Sequence, residues 1–274
     1  MALSFLAANY FASVEARRRS WDQKHISRIT FIALVGGIVG AKLFSVFEDF
    51  SDFLDHPIQQ LFSPSGLTFY GGFILATAGI YWYLKKHKLS FKAFADAIAP
   101  VVFLAYGIGR IGCHLAGDGD YGIPTRSVVG VHYSNGTAKP RYVFEPYFER
   151  HPDERAEWKY DSLTAINVRQ DDMGLRVTAF DEVATAHPTP LYEFAAAFLA
   201  FLWLWSKREK WQMQQGKLFG ATVFLMGVER FLVEFLRINP LYLGLSQAQW
   251  ISIGLIVIGT GMFMRYKSKT SVAK

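Results

Sequence analysis

Two arginine-bearing stretches hold the residue types best suited to chemistry on an anion. The first is Tyr106-Gly-Ile-Gly-Arg-Ile-Gly-Cys-His-Leu-Ala-Gly-Asp-Gly-Asp-Tyr-Gly122. Arg110 follows Ala99-Pro-Val-Val-Phe-Leu-Ala-Tyr106, an apolar lead-in unlike that of a solvated arginine. A guanidinium at mid-membrane depth costs at least ~2.5–3.5 kcal/mol on insertion scales, so such a charge faces a polar cavity. Glycines at 107, 109, 112, 117, 119 and 122 permit close backbone approach to a ligand and a sharp turn afterwards. Arginine followed by a glycine-rich exit suits a phosphate held at a membrane boundary. In the second stretch Arg230, Glu234 and Arg237 sit at i, i+4 and i+7, on one helical face. They form either a contact for an anionic substrate or a structural ion pair between helices, with Arg237 snorkelling to water. Glu229 lies on a different face and reads as structural.

His187-Pro-Thr-Pro-Leu-Tyr-Glu193 opens a further apolar run. Its prolines suit a helix start, and Glu193 in the first turn complements the helix dipole. His187 reads as a cap or hinge. The chain's only cysteine, Cys113, rules out an internal disulfide and reads as a small buried hydrophobe.

The elements that must position these residues follow from composition. Hydrophobic residues make up 51% of the chain and aromatics 16%, more than a soluble domain needs. They cluster in blocks of about twenty, the length that crosses a hydrocarbon core. The expected spans lie near 1–15, 27–47, 70–84, 92–113, 191–206, 217–236 and 248–265. Basic residues (Arg17–Arg19 and Lys24; Lys85, Lys86 and Lys88; Lys207, Arg208 and Lys210; Arg265, Lys267 and Lys269) fall on alternate connections. The positive-inside rule places these in the cytoplasm. Residues 48–69 carry Glu48, Asp49, Asp52 and Asp55 without lysine or arginine, and belong outside. The expected fold class is therefore an all-α integral membrane protein of about seven transmembrane helices, N-terminus out and C-terminus cytoplasmic. Topology accounts for the formal charge of +6, so no nucleic-acid partner is implied. The first span is short and lacks the n-region and cleavage site of a signal peptide.

Residues 114–190 form a hydrophilic insertion, expected as a small mixed α/β periplasmic head between spans four and five. Strands are expected in 127–133, 163–168 and 175–179, a turn at Asn135-Gly136, and a short helix from about 150. The head reads as a lid or docking surface. The resulting division is 1–113, 114–190 and 191–274. No zinc-protease, Walker, dinucleotide or Ser-His-Asp signature occurs, and the histidines have no metal spacing.

The segment around Arg110 resembles the signature G-R-x-G-N-F-x-N-G-E of prolipoprotein diacylglyceryl transferases. Leu67-Thr-Phe-Tyr-Gly-Gly72, His187–Glu193 and Arg230–Arg237 match that family in order and approximate spacing. The resemblance implies transfer of the sn-1,2-diacylglyceryl group from phosphatidylglycerol to a lipobox cysteine thiol. The products are a thioether and glycerol 1-phosphate. It further implies residence in the bacterial cytoplasmic membrane, prolipoprotein signal peptides as partners, and no metal or other cofactor. Family members begin with additional residues upstream. Carried onto this chain, the catalytic residues are Arg110, Arg230, Tyr70 and Glu234. The substrate-binding residues are Gly71, Gly72, Cys113, His114, Asp118, Asp120, Gly122, His187, Tyr192, Glu193 and Arg237. Tyr70 stands where the family commonly has a histidine proposed as the thiol's base, and His114 is a possible substitute. Cys113 and Ala116 depart from the signature. The pair Asp118 and Asp120 replaces one glutamate, and either could be its match. The other readings are a non-catalytic membrane lipid-binding or transport protein, and an inactive paralogue.

Overall fold

The computed structural model describes residues 2–48, 50–58, 68–158, 166–171 and 174–265. Asp49, Leu67, residues 163–165, Lys267 and Lys269, each used above, lie outside the described residues. Long helices occupy each stretch expected to span the membrane. They are α1 (Ala2–Arg18), α2 (Gln23–Glu48), α3 (Phe69–Lys86), α4 (Phe91–Ala116), α5 (Thr189–Lys207), α6 (Lys217–Val233) and α7 (Gln247–Met264). Of these, α2, α4 and α7 are long and apolar enough to cross a hydrocarbon core. Large apolar side chains point away from the protein on several of them, among them Phe31 and Ile38 on α2 and Leu199 and Trp203 on α5. A water-soluble monomer does not tolerate so much apolar surface; lipid does.

Local signals set the helix ends. The Ser90 hydroxyl caps α4 by accepting from Ala93 N. Gly117, at φ 56°, ends it in the left-handed conformation and donates its N–H to Cys113 O. Pro100 inside α4 removes one backbone donor, a loss that membrane helices tolerate when neighbours cover it. A capping box of Ser246 and Gln249 opens α7. The start of α6 is capped from another helix: the buried Asp96 carboxylate of α4 accepts from Phe219 N at 2.8 Å and from Gly216 N. Helices α4, α5 and α6 share a core of Phe103, Leu104, Ala197, Phe201, Leu204 and Leu218. At one end of the bundle, Glu15 binds Arg18 and Arg19 of its own segment, and Arg208 Nε lies 3.4 Å away.

Helices α2 and α3 pack mainly on each other, through glycines. A Cβ on Gly71 would lie 2.3 Å from Gly40 O, and one on Gly72 would lie 2.7 Å from Gly37 O. This is the small-residue contact typical of membrane helices. Gly71 and Gly72, expected against substrate, have a packing role here. Gly71→Ala is expected to lower the unfolding midpoint in detergent, because overpacking a tight contact costs about 1–3 kcal/mol. An unchanged midpoint would show that the two helices part without penalty.

The insertion between α4 and α5 mixes strands and short helices, as expected. Strand β1 (Val131–His132) is shorter than the expected 127–133 and pairs antiparallel with β4 (Thr185–Ala186). Strands β2 (Ile166–Asp171) and β3 (Gly174–Ala179) form a hairpin. Short helices cover Pro140–Val143, Glu145–Arg150, Pro152–Glu157 and Phe180–Val183. An aromatic core of Tyr121, Tyr133, Phe144, Phe148 and Phe180 holds the segment together. A second small hairpin, β5 (Leu241–Tyr242) and β6 (Leu245–Ser246), precedes α7 and was not read from the sequence.

Candidate active site

Four elements converge on one charged cluster: the end of α4, the turn after it, the second turn of α5, and the end of α6. Glu193 lies beyond the first turn expected for it, because the helix already begins at Thr189. Glu193, on α5, is completely buried. Its carboxylate lies 2.7 Å from Arg110 Nε, 3.2 Å from Arg230 Nη1 and 3.5 Å from Arg237 Nη1. Arg230 Nη2 also reaches Glu234 Oε2 at 2.9 Å, as the i, i+4 spacing predicts. Helix α6 tightens there into a 3₁₀ turn, Glu234–Leu236, which leads to Arg237. Asn239 donates to Glu234 Oε1 at 2.5 Å and fills its second oxygen.

Asp120 closes the cluster from the other side, binding both Arg110 and Arg237. Burial pushes its carboxyl upward, but the Arg237 and Arg110 guanidinia outweigh that and hold it below the ordinary carboxylate range. Asp118 is exposed and its carboxylate accepts from Asp120 N at 3.2 Å, which shapes the turn. The geometry thus separates the two acids that counting left equivalent. Thr189 Oγ1 donates to Asp120 O at 2.6 Å and ties the turn to α5. Gly122 is wedged where a Cβ would lie 2.4 Å from Leu236 O, and its N–H donates to His187 O. It joins the two chain segments and so has a structural placement.

The other expected residues lie around this centre. His187 Nδ1 pairs with the Tyr192 hydroxyl at 3.2 Å, beside the start of α5. His114 Nδ1 pairs with the Tyr133 hydroxyl at 2.9 Å, which commits it to the head. Cys113 is half-exposed, not a buried hydrophobe, and Arg110 Nη1 lies 3.7 Å from its sulfur. Tyr70 is 57% exposed on α3. Two residues of the centre were not foreseen. Tyr106 lies under the Arg110 guanidinium, 5.2 Å from ring centroid to Cζ. Its hydroxyl points at Glu229 Oε1, 3.4 Å away. The i, i+4 spacing of Tyr106 and Arg110 was the available signal.

Three guanidinia and three carboxylates thus make a near-neutral cluster that can persist in a low-dielectric setting. Its donors are not all spent. Among the described residues, Arg237 Nε and Nη1 are buried without an aligned acceptor. Such donors suit a tetrahedral oxyanion.

Fold and site together define a mostly helical protein with candidate membrane-spanning helices and a buried cluster of arginines and carboxylates. The family model of prolipoprotein diacylglyceryl transferases matches residues 1–265. A phosphatidylglycerol–prolipoprotein diacylglyceryl transferase of Clostridium tetani is 30% identical over 266 residues, covering 96% of this chain and 89% of its own. The protein of the same description from Leptospira interrogans is 27% identical, covering 97% and 87%. That from Neisseria meningitidis is 31% identical, covering 86% and 78%. The chain belongs to the prolipoprotein diacylglyceryl transferase family and is an enzyme of that family.

Proposed function

We propose that this chain transfers the sn-1,2-diacylglyceryl group of phosphatidylglycerol to the lipobox cysteine of a prolipoprotein, and that the arginine cluster carries the step. The sulfur attacks the saturated C3 carbon, the C3–O bond breaks, and its electron pair leaves with glycerol 1-phosphate. The barrier lies in charge moving onto the departing phosphate. Arg110, Arg230 and Arg237 meet that charge, while Glu193, Glu234 and Asp120 orient them. The observation that supports this most directly is the convergence of Arg110, Arg230 and Arg237 on the fully buried Glu193, with Arg237 Nε and Nη1 making no aligned hydrogen bond.

The topology in this reading has seven spans, N-terminus out and C-terminus cytoplasmic, with the head of 114–190 on the outer face of the bacterial inner membrane. The charge pattern supports it. The membrane segments 1–113 and 191–274 then flank the head. Both substrates reach the cluster through the bilayer, the lipid sideways between helices and the acceptor by its signal peptide. The test is incubation of purified protein with phosphatidylglycerol and a lipobox peptide, read by mass spectrometry. The expected result is a mass gain of one diacylglyceryl group. An unaltered peptide with tight lipid binding would instead mark a lipid-binding protein or an inactive paralogue.

A further inference from the structure

The cluster accounts for the leaving phosphate and leaves the other half of the reaction open, since a thiol of pKa ~8.5 is largely protonated at neutral pH. A proton acceptor needs lone pairs that cations do not already hold. Glu193 faces three guanidinia, Glu234 faces Arg230 and accepts from Asn239, and Asp120 faces two arginines. A carboxylate engaged in this way is a poor base. His114 and His187 are each paired with a tyrosine hydroxyl, and Asp118 lies in the exposed turn.

Glu229 differs from all of these. It sits in α6 beside Arg230, half-buried, and no cation among the described residues lies within ion-pair distance of it. The charged groups around it are Glu193, Arg230 and Arg110. Among the described residues its one polar contact is the Tyr106 hydroxyl at 3.4 Å, longer than an ordinary O–H···O bond. An unpaired carboxylate in an apolar helix is costly and reads as functional. Tyr106 connects it to the arginine cluster, with Arg110 over the ring face and Glu229 at the hydroxyl.

We propose that Glu229 is the base that takes the proton from the acceptor thiol. The S–H proton moves to the Glu229 carboxylate, the S–C3 bond forms and the C3–O bond breaks. The proton then passes from Glu229 to the departing phosphate or to water, which restores the carboxylate. This assignment rests on the arginine cluster acting on the leaving group, and the two halves can be told apart by changing the nucleophile.

The test compares lipobox peptides carrying cysteine or selenocysteine, since a selenol is already ionised at neutral pH and needs no base. With cysteine, Glu229→Gln is expected to lose on the order of 10²-fold in rate or more, the usual worth of general base catalysis. With selenocysteine it should stay close to wild type. Arg110→Ala is expected to fail with both nucleophiles, because the leaving group is the same. Equal losses for Glu229→Gln with both peptides, or no loss with cysteine, would overturn the assignment. An Arg110→Ala protein that keeps its rate would instead overturn the reading of the cluster. Should Glu229→Gln not fold, Glu229→Asp gives the same contrast, with a smaller loss for cysteine that selenocysteine removes.

Discussion

Arg110→Ala is expected to lower diacylglyceryl transfer about 10²–10³-fold, the cost of deleting one preorganised donor aimed at developing charge. The side chain joins the turn after α4 to α5, through Asp120 on one side and Glu193 at 2.7 Å on the other. Its loss leaves both acids with other partners, since Arg237 still binds Asp120 and Arg230 still faces Glu193. The helices therefore keep their places, and the penalty falls on the reaction more than on the fold. Transfer to a lipobox peptide by purified variant and wild type measures it. A rate within a few-fold of wild type would remove leaving-group stabilisation as the role of Arg110. Arg110→Lys keeps the charge but not the planar fork that engages two carboxylates at once, so it should recover only part of the loss.

Glu193→Gln is expected to affect stability and rate together. This fully buried carboxylate faces guanidinia from α4, from α6 and from the turn beyond α6. Breaking a buried ion pair by neutralising one partner costs about 3–5 kcal/mol, because the remaining charge stays buried and unpaired. Here three cations would share the two carboxylates of Asp120 and Glu234. Thermal unfolding in detergent should show a clear drop in midpoint, alongside a rate loss comparable to that of Arg110→Ala. An unchanged midpoint would mean that the arginines do not depend on Glu193 for their placement.

The helices were legible in the sequence because apolar runs of about twenty residues have a single physical solution in lipid. The head was legible only in outline. The β2–β3 hairpin is local and left its alternation in the chain, but β1 is two residues long and its partner β4 lies some fifty positions away. No local pattern encodes such a pairing. At the site, spacing gave the Arg230–Glu234 pair, since helical neighbours are fixed by geometry. It could not choose between Asp118 and Asp120, because side-chain directions in an irregular glycine-rich turn follow no fixed period. The left-handed Gly117 and the Thr189 contact to Asp120 O set which one points inward. Gly71 and Gly72 are ambiguous for a physical reason as well. A missing Cβ admits a ligand or a neighbouring helix equally, and the closeness of Gly40 and Gly37 adds the packing role. The helical face of Glu229 alone reads as structural, because its contact with the Tyr106 hydroxyl is made between helices and leaves no local pattern.

The cap that Asp96 places on the first turn of α6 has a mechanical meaning for the site. Arg110 and Arg230 stand far along their helices from that cap, about 21 Å and about 17 Å at 1.5 Å per residue. With the near ends pinned together by one carboxylate, neither helix can slide lengthwise past the other. The separation of the two arginines is then set like the gap at the tips of a pair of tweezers, by a joint at the opposite end. Any change in that gap then comes from the helices swinging about the joint, and not from sliding.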